Sequence, residues 1–315
     1  MSVPAQVHAS PDDALRHFRD DGVVLLGPVV DADRCARLLS DILSTRPFGA
    51  ELFLSEEEFR ANPERRGVNP RPGRANVVDR FDLSFIEETP AIAALLDQVC
   101  GERRRTILLK AVCGAPLDWL PAYVREDIRE APAAMLGPYI QPRYRDITYF
   151  HGIDYHQDII DYPTRPCDIV TLYVYLGDVT RDDSPLFVIP GSHTLGASVF
   201  PHRLVASTTA PDTWVYSDAR GRSVELQHRM LTGSAGSAAL WHPCLLHGTQ
   251  PAAESRPRIS IRYVIEKDPA ARTFLDAVND TLNGPLVLDV TRVDQDQGAQ
   301  TILRGNVINT VVPPE

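Results

Sequence analysis

The sequence predicts a mainly β protein with flanking helices, a sandwich or jelly roll, and three observations carry that reading. From Asp146 onward, short apolar and β-branched segments are separated by turn residues. One of them, 258–265, alternates residue by residue, with Arg258, Ser260 and Arg262 on one face and Ile259, Ile261 and Tyr263 on the other. Helical spacing is confined to the first hundred residues and a stretch near the C-terminus. A strand with such a polar inner face implies that the barrel contains a site and not merely a core.

In chain order, Leu15 and Phe18, then Cys35, Leu38, Leu39 and Ile42, fall at helical spacing on either side of 22–27, whose valines and leucines suit a strand. Helix, strand, helix is the predicted opening. The stretch 48–80, rich in Pro, Gly, Asn and Arg, reads as loop. Residues 90–100 read as a helix with Pro at its start and Gly101 past its end. A strand over 105–112 follows. The segment 115–145 holds five prolines and several aromatics and is too long for a plain connection, which suits a lid. Strands are expected at 169–176, 186–189, 238–241 and 258–265, then a helix near 271–282 and a strand at 286–290. The 315 residues are read as one domain, with a β core at about 105–265, inserts at about 48–80 and 115–145, and an extension over 268–315.

Composition narrows the function. With 32 Lys+Arg against 42 Asp+Glu the net charge is −10, which argues against a nucleic-acid backbone as partner. No apolar run approaches the ~20 residues that span a bilayer, so no membrane association is expected. The N-terminus has neither a basic nor an apolar leader region. Five widely spaced cysteines without a C-x-x-C pair read as reduced thiols of a cytoplasmic protein. Of the basic residues only Lys110 and Lys267 are lysine, so a lysine inside the apolar run at Lys110 stands out. Oligomeric state is not legible.

Nine histidines are present, and most are expected to be structural. In Tyr155-His156-Gln157-Asp158, His156 and Asp158 stand two apart on a predicted strand, where an imidazole and a carboxylate share a face and reach one metal ion. His242 and His247 are the late candidates for a third ligand; five apart, they face opposite ways, so one of them joins. His247 lies eleven residues before Arg258. Two histidines and a carboxylate on one side of a metal, with open positions and a guanidinium nearby, mark non-haem Fe(II) oxygenases. The guanidinium suits a carboxylate of a co-substrate. His193, in Pro-Gly-Ser-His, reads as a turn residue with local hydrogen bonds.

The ordered set of Tyr155-His156-Gln157-Asp158, Asp178-Val179-Thr180, Ile189-Pro190-Gly191-Ser192-His193, Trp241-His242-Pro243, His247-Gly248-Thr249 and Arg256-Pro257-Arg258 resembles the phytanoyl-CoA dioxygenase family of Fe(II)/2-oxoglutarate oxygenases. The opening Phe18-Arg19-Asp20-Asp21-Gly22-Val23-Val24 is similar as well, so the resemblance covers about residues 10–265. It implies a double-stranded β-helix, the jelly roll of cupins, in which His156, Asp158 and His247 bind iron and Arg258 pairs with the distal carboxylate of 2-oxoglutarate. It also implies that Gln157 and Thr249 line the co-substrate site, that Tyr173 stands where many relatives carry Trp, and that Lys110 matches a lysine some members use near the co-substrate. The chemistry implied is O2-dependent hydroxylation of a small-molecule substrate with release of succinate and CO2. Relatives that halogenate have a small residue in place of Asp158, so its presence favours hydroxylation.

A non-redox cupin-like isomerase, hydrolase or binding protein is the competing class, since two histidines and a carboxylate also hold zinc. Arg258 discriminates, because a hydrolytic site has no need of a guanidinium matched to a dicarboxylate. For substrate, Trp119, Tyr144 and Tyr149 precede the first ligand in the predicted lid and are candidate contacts. By the resemblance, an intermediate of natural-product or antibiotic biosynthesis is the expected substrate class, with an acyl-CoA, met by Arg103-Arg104-Arg105, or a free amino acid as alternatives.

Overall fold

In the computed structural model the described residues are 11–61, 76–129, 133–162, 164–198, 202–218, 221–249 and 256–288. Helix α1 (Pro11–Asp21), strand β1 (Val23–Pro28) and helix α2 (Ala32–Ser44) form the predicted opening. Short helices α3 (Glu56–Ala61) and α4 (Ser84–Glu87) precede α5 (Pro90–Cys100). Then come β2 (Arg105–Gly114), α6 (Ala122–Ile128), β3 (Ala133–Met135), β4 (Thr148–His156), β5 (Ile169–Tyr175) and β6 (Leu186–Val188). A hairpin insert supplies β7 (Arg203–Ala206), β8 (Thr213–Ser217) and β9 (Ser223–Gln227), followed by β10 (Arg229–Leu231), β11 (Ser237–Trp241), β12 (His247–Thr249), β13 (Arg258–Glu266) and α7 (Phe274–Asn279).

One large sheet runs β1-β11-β5-β13-β2-β4-β12-β6-β10, with β3 added beside β4, and β7-β8-β9 form a separate small sheet. The pairings are antiparallel except for β2 with β4. The large sheet curls on itself, because Leu25, Tyr173 and Trp241 from one end share an apolar cluster with Leu186, Val188 and Leu231 from the other. This is the jelly roll that the alternating strands predicted. Its outer face packs against the helices: Ile259, Ile261, Tyr263 and Ile265 of β13 join Phe18, Leu38, Ile42 and Leu96 in the main core. Burying such side chains stabilises by roughly 1.5–3 kcal/mol each. Arg258, Ser260 and Arg262 therefore turn to the inner face, as the alternation required.

Several elements differ from expectation. The stretch 48–80 is not plain loop: Phe59 anchors α3 by stacking on Tyr139 at 4.5 Å, and a 3₁₀ turn spans Val77–Arg80. Part of that stretch, 62–75, lies outside the described residues. The last helix covers only Phe274–Asn279, closed at its start by a Thr273–Asp276 capping box. Residues 286 and 287 are bends and 288 is irregular, so the described part of the strand expected at 286–290 does not form; the remainder lies outside the described residues, as does the extension from 289. The β core also starts earlier than residue 105, since β1 pairs with β11.

A buried ion pair ties the insert 115–145 to the body. Arg46, at the end of α2, grips both oxygens of Asp146, with 2.7 Å from Nη2 to Oδ2, and also donates to the carbonyl of Tyr144 at 3.1 Å. Its side chain is 3% exposed and that of Asp146 4%. Among the described residues no helix is long and apolar enough to cross a membrane.

Candidate metal and co-substrate site

His156 ends β4 and His247 begins β12, and the two are paired across the sheet, which sets their rings 4.3 Å apart. Gly248 is dictated by that pairing, because a Cβ there would meet the Ile153 carbonyl at 2.4 Å and the Phe187 ring at 2.7 Å. Asp158 departs from the prediction. It does not continue the strand but opens a 3₁₀ turn, Asp158–Asp161, and the turn swings its carboxylate toward the two imidazoles. His156, Asp158 and His247 thus bring one ligand atom each within 4.8 Å of one another.

The hydrogen bonds orient these groups. His156 Nδ1 lies 3.0 Å from the Asp154 carbonyl and His247 Nδ1 3.0 Å from the Leu245 carbonyl. A carbonyl only accepts, so both Nδ1 atoms carry the proton and both Nε2 atoms keep a free lone pair. Asp158 Oδ2 accepts from Thr171 Oγ1 at 2.6 Å and from Trp241 Nε1 at 2.9 Å. Oδ1 is left facing His247 Nε2 at 3.5 Å and the Arg262 guanidinium, which donates to it. Burial alone would push the Asp158 carboxyl up, but Arg262 and His247 beside it hold it well below the usual range. Burial and the neighbouring His247 push His156 down to about 3, so it stays neutral. Two imidazole Nε2 atoms and one ionised carboxylate are the donor set that a divalent first-row metal takes.

Arg258 lies on the same inner face, 3% exposed. Its Nη1 donates to the Tyr173 hydroxyl at 2.9 Å, and its guanidinium sits 5.2 Å from the Phe150 ring centre. Nε and Nη2 have no partner, nor do Thr249 Oγ1 and Ser260 Oγ, although all four atoms are buried. A buried guanidinium with unspent donors is costly unless a ligand completes it. These orphaned atoms fit the carboxylate of a dicarboxylic co-substrate. The cavity, about 420 Å3, is lined by the triad together with Thr249, Tyr173, Tyr149, Phe150, Lys110 and Arg262.

Of the predicted residues, the triad, Thr249, Tyr173, Tyr149 and Lys110 line this cavity, Arg258 stands behind Tyr173 and not on its wall, and Lys110 stands opposite Arg262, not opposite Arg258. Gln157 does not line this cavity: its amide donates to the carbonyls of Gly196 and Cys244, accepts from Ser198 N, and is wholly buried. Trp119 packs against Phe48 at 5.8 Å, and Tyr144 carries Arg46 and Arg143 over its ring, so neither reaches the cavity. The Arg103-Arg104-Arg105 run is spent on Asp268, Asp97 and Glu266. His242 bonds Asn279 and the Cys244 amide, which makes it structural. His193 is structural too, but through a distant bond to the Arg19 carbonyl and a close approach to Gly22, where a Cβ would lie 2.5 Å from its ring. Sequence reading missed Thr171, Trp241 and Ser260 as site residues. It placed Ser260 and Arg262 on the inner face by alternation without giving either a role, while Thr171, inside an all-apolar strand, carried no signal.

A curled jelly roll with two histidines, one carboxylate and an unspent buried arginine defines a non-haem iron oxygenase that takes a 2-oxo acid. The sequence model of the phytanoyl-CoA dioxygenase family matches residues 18–260, and the chain belongs to that family. It is a 2-oxoglutarate-dependent dioxygenase, with iron and 2-oxoglutarate as its cofactors. Among similar proteins, a probable alpha-ketoglutarate-dependent hypophosphite dioxygenase of Stutzerimonas stutzeri is 30% identical over 249 residues, covering 75% of this chain and 71% of that protein. The L-proline trans-4-hydroxylase of Streptomyces griseoviridis is 26% identical over 245 residues, covering 69% of this chain and 83% of that protein. Among solved structures, the non-haem alpha ketoglutarate dependent epimerase SnoN from nogalamycin biosynthesis aligns with a TM-score of 0.50 at 18% identity, covering 89% of this chain and 96% of that one.

Proposed function

We propose that the chain hydroxylates an unactivated C–H bond of a small molecule, with succinate and CO2 as co-products. In this reading His156, Asp158 and His247 hold Fe(II), and Arg258, with Thr249, Ser260 and Tyr173, takes the distal carboxylate of 2-oxoglutarate. The observation that carries it is the pair of orphaned, buried donors on Arg258 beside a ready-made ligand set. Iron with 2-oxoglutarate and O2 supplies the oxidant for such a bond. The chain's own part is to keep both Nε2 lone pairs aimed at one point, through the carbonyls of Asp154 and Leu245, and to fix Asp158 through Thr171 and Trp241. Tyr173 and Phe150 hold the Arg258 guanidinium in place and exclude water from it.

The substrate we favour is an intermediate of natural-product biosynthesis. A free amino acid is the second reading, supported by the L-proline trans-4-hydroxylase relative. Acyl-CoA is disfavoured, since the arginine run that would meet its phosphates is spent in surface ion pairs. Anaerobic addition of Fe(II) and 2-oxoglutarate to the folded protein should give the weak visible charge-transfer band of a chelated 2-oxo acid. Absence of the band overturns the reading.

A further inference from the structure

Lys110 and Arg262 have no part in the reading above. They are direct neighbours across the β2–β13 pair, with Tyr173 on the other side of Arg262, and both line the cavity beside the triad. Arg262 stands four residues from Arg258, roughly 13 Å along the strand. Arg258 donates to Tyr173 and Arg262 to Asp158, so the two guanidiniums point to different partners.

Charge balance gives this second pair a purpose. Fe(II), the 2-oxoglutarate dianion, the Asp158 carboxylate and the Arg258 guanidinium sum to zero. Lys110 and Arg262 remain, and Asp161, the other carboxylate of the lining, acts on both and offsets one charge of the two. Asp158 Oδ1, the oxygen that faces both His247 and Arg262, cannot fully serve a dication and a guanidinium at once. Two cations side by side in a half-buried cavity are unfavourable unless an anion joins them. Lys110 registers this: burial first, then Arg262, push its ammonium down to about 8.

Resting on the oxygenase reading, we propose that Arg262 and Lys110 form a second anion subsite that receives a carboxylate of the substrate. The substrate class is then a small carboxylic acid, gripped by the planar guanidinium fork and the ammonium, with the C–H bond to be oxidised held near the triad. The subsite also explains why this chain, nearly devoid of lysine, keeps one on an inward-facing strand position.

The test is calorimetric titration of the anaerobic protein, loaded with Fe(II) and N-oxalylglycine, with cyclopentanecarboxylate and benzoate and with their uncharged amides. The carboxylates should bind roughly tenfold or more tightly than the amides. Lys110→Met should weaken carboxylate binding by roughly five- to tenfold and leave amide and N-oxalylglycine affinity unchanged, and Arg262→Gln should weaken carboxylate binding by a similar factor. Lys110→Met does not touch Asp158, so it keeps the test readable if Arg262→Gln loses iron. Equal binding of acid and amide, or no acid binding, overturns the subsite. Weakened N-oxalylglycine with unchanged carboxylate binding assigns the pair to the co-substrate and overturns it as well. Failure of Fe(II) and N-oxalylglycine to bind at all overturns the oxygenase reading, and this inference with it.

Discussion

Among the described residues, two arginine–aspartate pairs, Arg46–Asp146 and the partly buried Arg262–Asp158, behave differently. Arg46 and Asp146 are both nearly inaccessible and meet through two nitrogens and two oxygens, and the remaining donors find Thr45 and the Tyr144 carbonyl. That pair is closed: every group has its match, Arg80 adds a longer contact to Asp146 Oδ2 at 3.5 Å, and nothing in it waits for a ligand. Arg262 and Asp158 meet through one nitrogen and one oxygen, beside a cavity, and the same oxygen faces His247. The Asp158 pair is open, because its carboxylate is also wanted by a metal. One interaction type thus serves folding when saturated and chemistry when left shared.

The largest contrast is expected from the carboxylates themselves. Asp158→Ala should eliminate 2-oxoglutarate-dependent turnover and iron retention while the protein stays folded; retained iron at wild-type stoichiometry would remove Asp158 from the ligand set. Asp146→Ala should do the reverse, costing about 3–5 kcal/mol of stability by stranding Arg46 while leaving iron binding intact. Denaturant melts of both variants separate the two outcomes. Arg258→Gln comes next: losing a charge-assisted grip of about 2–3 kcal/mol should raise the 2-oxoglutarate requirement roughly 30- to 150-fold with iron affinity unchanged. An unaltered co-substrate dependence would show that the orphaned donors serve something else.

The smallest expected effect is the pH response of a histidine outside both pairs. Burial, followed by the neighbouring His193, pushes His242 down to about 3 from an ordinary 6.5. A histidine whose folded value is depressed stabilises fully above its unfolded value, and that contribution is lost as pH falls from about 6.5 toward 3. By pH 5 the loss amounts to about 2 kcal/mol. The melting temperature should drop across this window, and His242→Asn should flatten the slope; an identical slope in the variant would exclude His242 as its source.

Much of the scaffold was readable because it follows periodicity. The alternation of 258–265 correctly put Ile259, Ile261 and Tyr263 into the helix-covered core, Arg262 onto the cavity wall and Arg258 behind Tyr173 on the same inner face. Pro90 and Gly101 marked both ends of α5. What was not readable depended on tertiary contacts. Strand parity put His156 and Asp158 on one face, whereas they meet because a 3₁₀ turn follows the strand. Trp119 and Tyr144 looked like lid aromatics from composition, but their rings are used to fasten the insert to the body. Thr171 sits in a run so apolar that its hydroxyl, bonded to Asp158, was invisible until β5 and the 3₁₀ turn were seen together.

Gln157 shows what that turn entails. Lodged between His156 and Asp158, its amide is riveted to three backbone groups of two separate loops, at Gly196, Ser198 and Cys244. The His-x-Asp tripeptide is therefore no portable cassette. Its middle residue is keyed to loops almost forty and almost ninety positions downstream, so grafting the three residues into another jelly roll transfers the ligands without the lock that sets their angle.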